Sequence, residues 1–385
     1  MKFSIAAPYR SSYYNDYALV LHKHDMLRAY ILGTRRGSNG IPPEKLCLNP
    51  TIGLVRTLAG KFLSTYRGES VRFATYPWFD RWACKKIVAQ DHIISSYGFT
   101  NACFKSVRAN GGKNFLEAGN SHPQQFWDIM EEEHRRWGCK LPPVYPPYHR
   151  RALRMMEDVD FILSSSRYVS DSFLRRGFSA DQIIYNPFAC DLSRFYPAKT
   201  PRPKNRPLTI IHTGMLGLRK GTPYLLEAFR LVRQRQPSAR LIMVKQIHDS
   251  IKPLMSRYAD LPIEWTDGGD HDVLSELLRQ ADLFAMPTLE EGFARTLAEA
   301  LASGLPLVTT AHSGVNDFII EGQNGITVPL RNAPATAEAI LKLGDMIMAG
   351  NEPPDALIDP HALSFEAFER RFLDGIAKLE QAKRL

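Results

Sequence analysis

Residues 282–310 read DLFAMPTLEEGFARTLAEALASGLPLVTT. DLFAMP (282–287) is a short apolar run. TLEEGFA (288–294) is polar and contains a glycine. RTLAEALASG (295–304) places Leu297, Ala300 and Leu301 on one helical face and stops at Gly304. LPLVTT (305–310) is apolar again. Strand, loop, helix and strand in that order predict a parallel βαβ unit, since parallel neighbours need a crossover. Ligands of such sheets bind outside the carboxyl ends of the strands, so TLEEGFA is a candidate binding loop.

The same rhythm extends in both directions. LTIIHTG (208–214), LIMVK (241–245) and IEWT (263–266) read as strands. TPYLLEAFRLVRQRQ (222–236) and DVLSELLRQ (272–280) read as amphipathic helices. Upstream, AKTPRPKNRP (198–207) carries three prolines and four basic residues, and continues neither a helix nor a central strand. It predicts a boundary between a domain over 1–200 and one over 205–360. In the first half KFSIAAP (2–8), DHIISSY (91–97), KNFLEA (113–118) and DFILSSS (160–166) read as strands, and SRYVSDSFLRRG (166–177) as a capped helix. Residues 35–90 give no clear pattern. HALSFEAFERRFLDGIAKLEQA (361–382) is a long amphipathic helix with 365, 368, 372 and 376 on one face, expected to pack back on the first domain. The fold class is α/β, with two doubly wound, Rossmann-like domains facing a cleft.

Composition agrees with a globular chain. Its 385 residues are 44% apolar and 23% charged, and can bury a sizeable core. Five scattered cysteines suggest neither a disulfide framework nor a zinc site, and fit a reducing compartment. No apolar run approaches the roughly 20 residues of a membrane span. MKFSIAAPYR (1–10) reads as a strand rather than a signal peptide, so a cytoplasmic location is expected. Residues 1–200 hold 28 Lys/Arg against 17 Asp/Glu, a net +11, whereas residues 201–385 hold 21 against 23, a net −2. A basic first half suits an anionic partner: a phospholipid surface, a lipid-phosphate acceptor or nucleic acid.

Two loops carry candidate chemistry. HTGMLGLRKG (212–221) joins a strand to a helix. Gly214 and Gly217 permit a tight turn there, and Arg219 and Lys220 sit just before the helix N-terminus. The loop matches neither a Walker A motif nor a GxGxxG fingerprint. In the second loop, the backbone of residues 292–295 opens a helix and can bind a phosphate. Glu299 lies about 200° from both Leu297 and Leu301 and so points away from the core. There it can accept hydrogen bonds from vicinal sugar hydroxyls, as a ribose requires. Glu291 precedes the helix and can hold a second polyol.

The E-G-F-x(5)-E spacing of 291–299, followed by Gly-Leu-Pro-Leu-Val (304–308), resembles the retaining GT-B glycosyltransferases of family 4. G-x-L-x-x-R-K-G at 214–221 is similar to the family's phosphate motif. SGVNDFIIEGQNGITVP (313–329), YNPFACDLSRFYP (185–197) and DVDFILSSSRYVSDSFLRRG (158–177) resemble its loop-and-strand ending, its hinge, and the last strand and helix of its N-terminal domain. The resemblance covers about residues 113–385. It implies a GT-B architecture and transfer of a sugar from a UDP- or GDP-sugar to a glycan or lipid-linked saccharide, with retention and with neither metal nor cofactor. It further implies that Lys220, with Arg219 beside it, neutralises the diphosphate, that Glu299 holds the ribose, and that Glu291 contacts the donor sugar. Gly292, Phe293 and Ala294 would line the donor, with Gly214 and Leu216 in the phosphate loop. His122 in GNSHPQQ (119–125) matches the family's N-domain histidine. Three positions depart from the pattern. Met215 stands where many members carry Arg, Asn-Pro-Phe (186–188) replaces Asn-Gly-Val, and PYRSSYYNDY (8–17) replaces a Gly-Gly loop.

An epimerase or hydrolase on the same scaffold, or a glycosyltransferase-like binding protein, are the alternatives. Nucleic acid is not the expected partner. HKHD (22–25) and DHD (270–272) read as an exposed helix face and a helix-capping loop rather than as metal ligands. YPWFDRWACKK (76–86) suits either the core or a membrane interface, through Trp78, Phe79 and Trp82. Peripheral membrane contact through the basic domain is therefore expected.

Overall fold

The computed structural model describes residues 1–34, 40–88, 90–198, 206–244, 246–350 and 357–382. Most of the proline-rich segment 198–207 lies outside the described residues.

The first sheet contains β1 (Phe3–Ala7), β2 (Leu27–Leu32), β3 (Leu46–Leu48), β4 (His92–Ser95), β5 (Asn114–Ala118), β6 (Phe161–Ser164) and β7 (Ile183–Tyr185). The second contains β8 (Thr209–His212), β9 (Arg240–Val244), β10 (Ile263–Thr266), β11 (Leu283–Met286), β12 (Leu307–Thr310) and β13 (Gly325–Val328). The orders are β3-β2-β1-β4-β5-β6-β7 and β10-β9-β8-β11-β12-β13. The paired strands are parallel. Each order reverses once, between β1 and β4 and between β8 and β11. These are the switch points where doubly wound sheets hold ligands.

The connecting helices of the first half are α1 (Ser12–Lys23), α2 (Pro50–Phe62), α3 (Thr65–Ala74), α4 (Tyr76–Cys84), α5 (Asn101–Ala109), α6 (Pro123–Arg136), α7 (Tyr145–Met156) and α8 (Arg167–Leu174). Those of the second half are α9 (Thr222–Arg235), α10 (His271–Gln280), α11 (Arg295–Ala302), α12 (Ala333–Met348) and α13 (Phe365–Ala382). Helices flank the sheets, which is why central strands such as β1, β8, β11 and β12 are buried along their whole length rather than alternating. In β1, Phe3 and Ile5 enter one core and Ala6 the opposite one. The stretch 35–90 gave no sequence pattern because β3 is only three residues long and α2 buries few of its side chains.

The chain's last helix crosses back. Phe368, Phe372 and Ile376 of α13 are buried with Phe3, Ile5 and Tyr17 of the first domain. HKHD has a role in this crossing. Lys23 and His24 hold Glu369 of α13 at 2.8 and 2.6 Å, so these side chains clasp two helices instead of forming a bare surface. Asp270 does cap α10, accepting from the amides of Asp272 and Val273 at 3.1 and 3.2 Å. In α4, Phe79 is buried, Trp82 half-buried and Trp78 exposed, so the aromatic segment serves core and surface at once.

The two domains meet along the carboxyl ends of their strands. Met130 of α6 enters the second domain's core. Glu133, also on α6, is fully buried and accepts from Tyr224 Oη at 2.9 Å and from Arg331. Asp317 accepts from the Arg167 amide at 2.8 Å and from Tyr185 Oη at 2.9 Å. Arg295 reaches Ser12 Oγ at 2.7 Å and lies over the Tyr13 ring.

Candidate functional site

The loops after β8 and β11 flank the second sheet's switch point and are laced together. The Arg219 carbonyl accepts from the Leu289 amide and the Thr288 hydroxyl, both at 2.9 Å. Gly221 has φ +68°, and a Cβ there would stand 1.9 Å from the Pro287 carbonyl oxygen. Only glycine permits that crossing. It brings the Arg219 and Lys220 side chains onto the acidic loop.

There Arg219 Nη1 donates to a Glu291 carboxylate oxygen at 2.7 Å and to the Glu290 carbonyl at 2.9 Å, and Lys220 pairs with the same Glu291 oxygen. Burial alone would raise the Glu291 carboxyl. The two cations outweigh it and hold the group down at about 2, against an ordinary 4.5. Burial lowers Lys220, while Glu291 and Glu290 outweigh burial at Arg219 and raise it. Glu291 is also fixed through its backbone: its amide donates to His312 O and its carbonyl accepts from Gly314. Met215 carries half-exposed thioether surface where a further cation was expected.

Next to this cluster α11 begins. Its N-terminus has no side-chain cap, and Ala294 before it has φ +63°, a left-handed conformation uncommon for a residue with a Cβ. An uncapped start leaves backbone donors for an anion. Glu299, one turn further, is 9% exposed, so it is far less open than its helical position suggested. It borders a 760 Å³ cavity with Ser12, Asp16, Cys190, His271 and Arg295. One of its carboxylate oxygens is buried with no hydrogen-bond partner among the described residues, and burial raises its pKa. Phe293 is committed to packing, edge-on to Phe188 and Phe318, so only its backbone can face a ligand. Leu216 is likewise buried, and its amide and carbonyl pair with Gln246 and His248. Gly214 has φ +101° and open space around it.

The site thus brings together Arg219, Lys220, Glu291 and the start of α11, with Glu299 at the adjoining cavity. The contacts of His122 among the described residues lie within the first domain. Its Nδ1 accepts from the Gln124 amide at 3.2 Å, capping α6, and its ring packs edge-on against Phe173 at 5.2 Å. Burial, with Arg176 and His149 nearby, lowers it to about 4, so it is neutral at pH 7.

Two acids that the sequence reading passed over stand at the domain junction. Glu290 is fully buried. Its two carboxylate oxygens accept from the Ser121 amide at 2.9 Å and Asn120 Nδ2 at 2.8 Å, both in the first domain. Gly292 lies against that same turn: a Cβ there would stand 1.9 Å from the Gly119 carbonyl oxygen. Glu117, at the carboxyl end of β5, is pushed up by burial to about 7, and its Oε1 has no partner among the described residues. An acid directly preceding Glu291 was the available signal for Glu290. Nothing in the sequence marked Glu117, because a carboxyl inside an apolar strand reads as one of its solvent-facing positions.

Two parallel α/β domains that meet at a pair of charged loops define the GT-B class of fold. Solved structures agree. Sucrose-phosphate synthase from Thermosynechococcus elongatus superposes with a TM-score of 0.69 at 19% identity, covering 99% of this chain and 100% of that one. HepE from Anabaena, solved in complex with UDP and glucose, gives 0.62 at 13% identity, covering 98% and 99%. At these identities the likeness is one of fold. Residues 207–345, in the second domain, match the family model described as "Glycosyl transferases group 1". The putative colanic acid biosynthesis glycosyltransferase WcaL of Escherichia coli K12 is 26% identical over 206 residues, 51% of this chain and 50% of that protein. Sulfoquinovosyl transferase SQD2 of Arabidopsis thaliana is 30% identical over 138 residues, 36% of this chain and 26% of that protein. The chain spans about half the length of WcaL and about a quarter of SQD2.

Proposed function

We propose that the protein is a retaining glycosyltransferase. It moves a sugar from a UDP- or GDP-sugar to a hydroxyl of a glycan or lipid-linked saccharide, with neither metal nor cofactor. The observation that carries this reading is the pairing of Arg219 and Lys220 over Glu291 beside the uncapped start of α11. The named activities of WcaL and SQD2, and the UDP bound in HepE, support it.

In this reaction the bond from the sugar's anomeric carbon to the diphosphate oxygen breaks. A bond to the acceptor oxygen forms on the same face, and the acceptor's proton passes to the departing phosphate. Negative charge grows on the diphosphate. It meets the backbone donors of α11 and the two cations, which keep N–H groups beyond those given to Glu291. Glu291, held ionised, accepts from hydroxyls of the transferred sugar. The unpartnered oxygen of Glu299 accepts from the ribose. Arg219 takes the place of the cation missing at Met215.

Peripheral membrane contact belongs to the same reading. On α2 and just after it, Leu58, Phe62 and Leu63 are exposed beside Lys61, and Trp78 is exposed on α4. No helix among the described residues is long and apolar enough to cross a membrane. Sedimentation with anionic but not neutral vesicles is the expected result.

A thermal-shift panel of UDP, GDP and their sugar conjugates tests the donor reading. A ligand at about 100 times its Kd adds about 2.7 kcal/mol to stability. No shift with any member overturns it.

A further inference from the structure

Resting on the transfer reaction proposed above, the first domain offers a place for the acceptor and shows what kind it takes. A 580 Å³ cavity lies beyond β1 and β2, lined by Tyr9, which follows β1, and by Gly33 and Thr34, which follow β2. This is the carboxyl edge of the sheet, beside its switch point. The cavity adjoins the site. Tyr145 and Tyr148 line both it and a 120 Å³ cavity walled by Asn120 and Ser121, the residues that hold Glu290.

Its walls are aromatic. Tyr76 and Phe73 meet Tyr148 edge-on at 6.4 and 6.0 Å. Flat rings around a cavity suit the C–H faces of a sugar. Two arginines also face in. The Arg56 guanidinium lies 5.2 Å from the Tyr9 ring centre and 5.4 Å from that of Tyr76. Its Nη1 donates to the Arg72 carbonyl at 2.9 Å and to Thr75 Oγ1 at 3.0 Å, which fixes the group at the cavity wall. Arg72 lies across Gly60 of α2, where a Cβ would stand 2.0 Å from its Nη2. Neither arginine forms an ion pair with a carboxylate among the described residues. Glu69, an acid on the wall, stands 3.6 Å from His248 of the second domain. A half-buried cation without a counter-ion is costly, and an anion brought by the ligand relieves that cost.

We propose that this cavity binds the acceptor as a saccharide residue bearing an anionic group, a carboxylate or a phosphate, with its ring on the tyrosines and its anion on Arg56 and Arg72.

Calorimetry with methyl glucoside, methyl glucuronoside and glucose 6-phosphate tests this on the full chain. The expected result is at least about tenfold tighter binding of one or both anionic sugars than of the neutral one, equivalent to about 1.4 kcal/mol. A gain for the glucuronoside alone assigns a carboxylate, and a gain for glucose 6-phosphate alone assigns a phosphate. Arg56→Gln and, separately, the exposed Arg72→Gln should abolish the preference while leaving UDP affinity unchanged. Equal binding of all three sugars, or a preference that survives both substitutions, overturns the proposal. Failure of UDP to bind while the preference persists counts against the transfer reaction and not against the anion site.

Discussion

Glu291 offers a quantitative test of the site's electrostatics. Its carboxyl is held at about 2 in the folded protein against an ordinary 4.5. A depressed folded pKa means that ionised Glu291 stabilises the fold. The contribution is fully present above pH 4.5 and is lost as the pH falls towards 2. The difference is worth about 3 kcal/mol at neutral pH, of which about 1.4 kcal/mol has gone by pH 3.5. Glu291→Gln removes the titration. It also leaves Arg219 and Lys220 facing each other without the carboxylate they share. Urea unfolding of wild type and Glu291→Gln at several pH values between 7 and 3.5 isolates the term. The gap between the two proteins should narrow by about 1.4 kcal/mol as the pH falls. A gap of constant width would refute the claim that these cations hold Glu291 ionised.

Glu290→Ala removes two hydrogen bonds from a charged acceptor, each worth about 1.5–3 kcal/mol, and should open the domains. Small-angle scattering would then show a larger radius of gyration, and an unchanged profile counts against a domain bracket. Ala294→Gly should relieve the left-handed strain at φ +63° and raise stability by about 1 kcal/mol in urea. A lower midpoint sinks that argument. Lys220→Ala should cut turnover about a hundredfold, measured as nucleoside diphosphate released with acceptor present. Glu299→Ala should weaken UDP binding by about 1–3 kcal/mol, and unaltered affinity removes Glu299 from the ribose.

The second domain was legible because its signals are local. Most of its strands are short apolar runs bounded by a turn, and even the mixed IEWT, read as 263–266, is strand β10 with the same limits. The first domain was harder. Leu27–Leu32 and the three-residue β3 lie within mixed sequence, and α2, α3 and α4 follow one another with few buried side chains. The HKHD stretch shows the same limit: a helix surface looks exposed until another helix, 345 residues away in the chain, is laid on it.

The sequence by itself determined the alternation of strands and helices, the two loops that carry charge, and the spacing of Glu291 and Glu299 around the start of one helix. These follow from residue type and local period. Tertiary structure alone decided which cations Glu291 meets, because Arg219 and Lys220 reach it only where Gly221 crosses Pro287. It also decided that Glu299 is covered, that His122 caps a helix within its own domain, and that Glu290 joins the two halves. Each of those outcomes depends on burial and on partners distant in the chain, and neither quantity is carried by the spacing of residues within a segment.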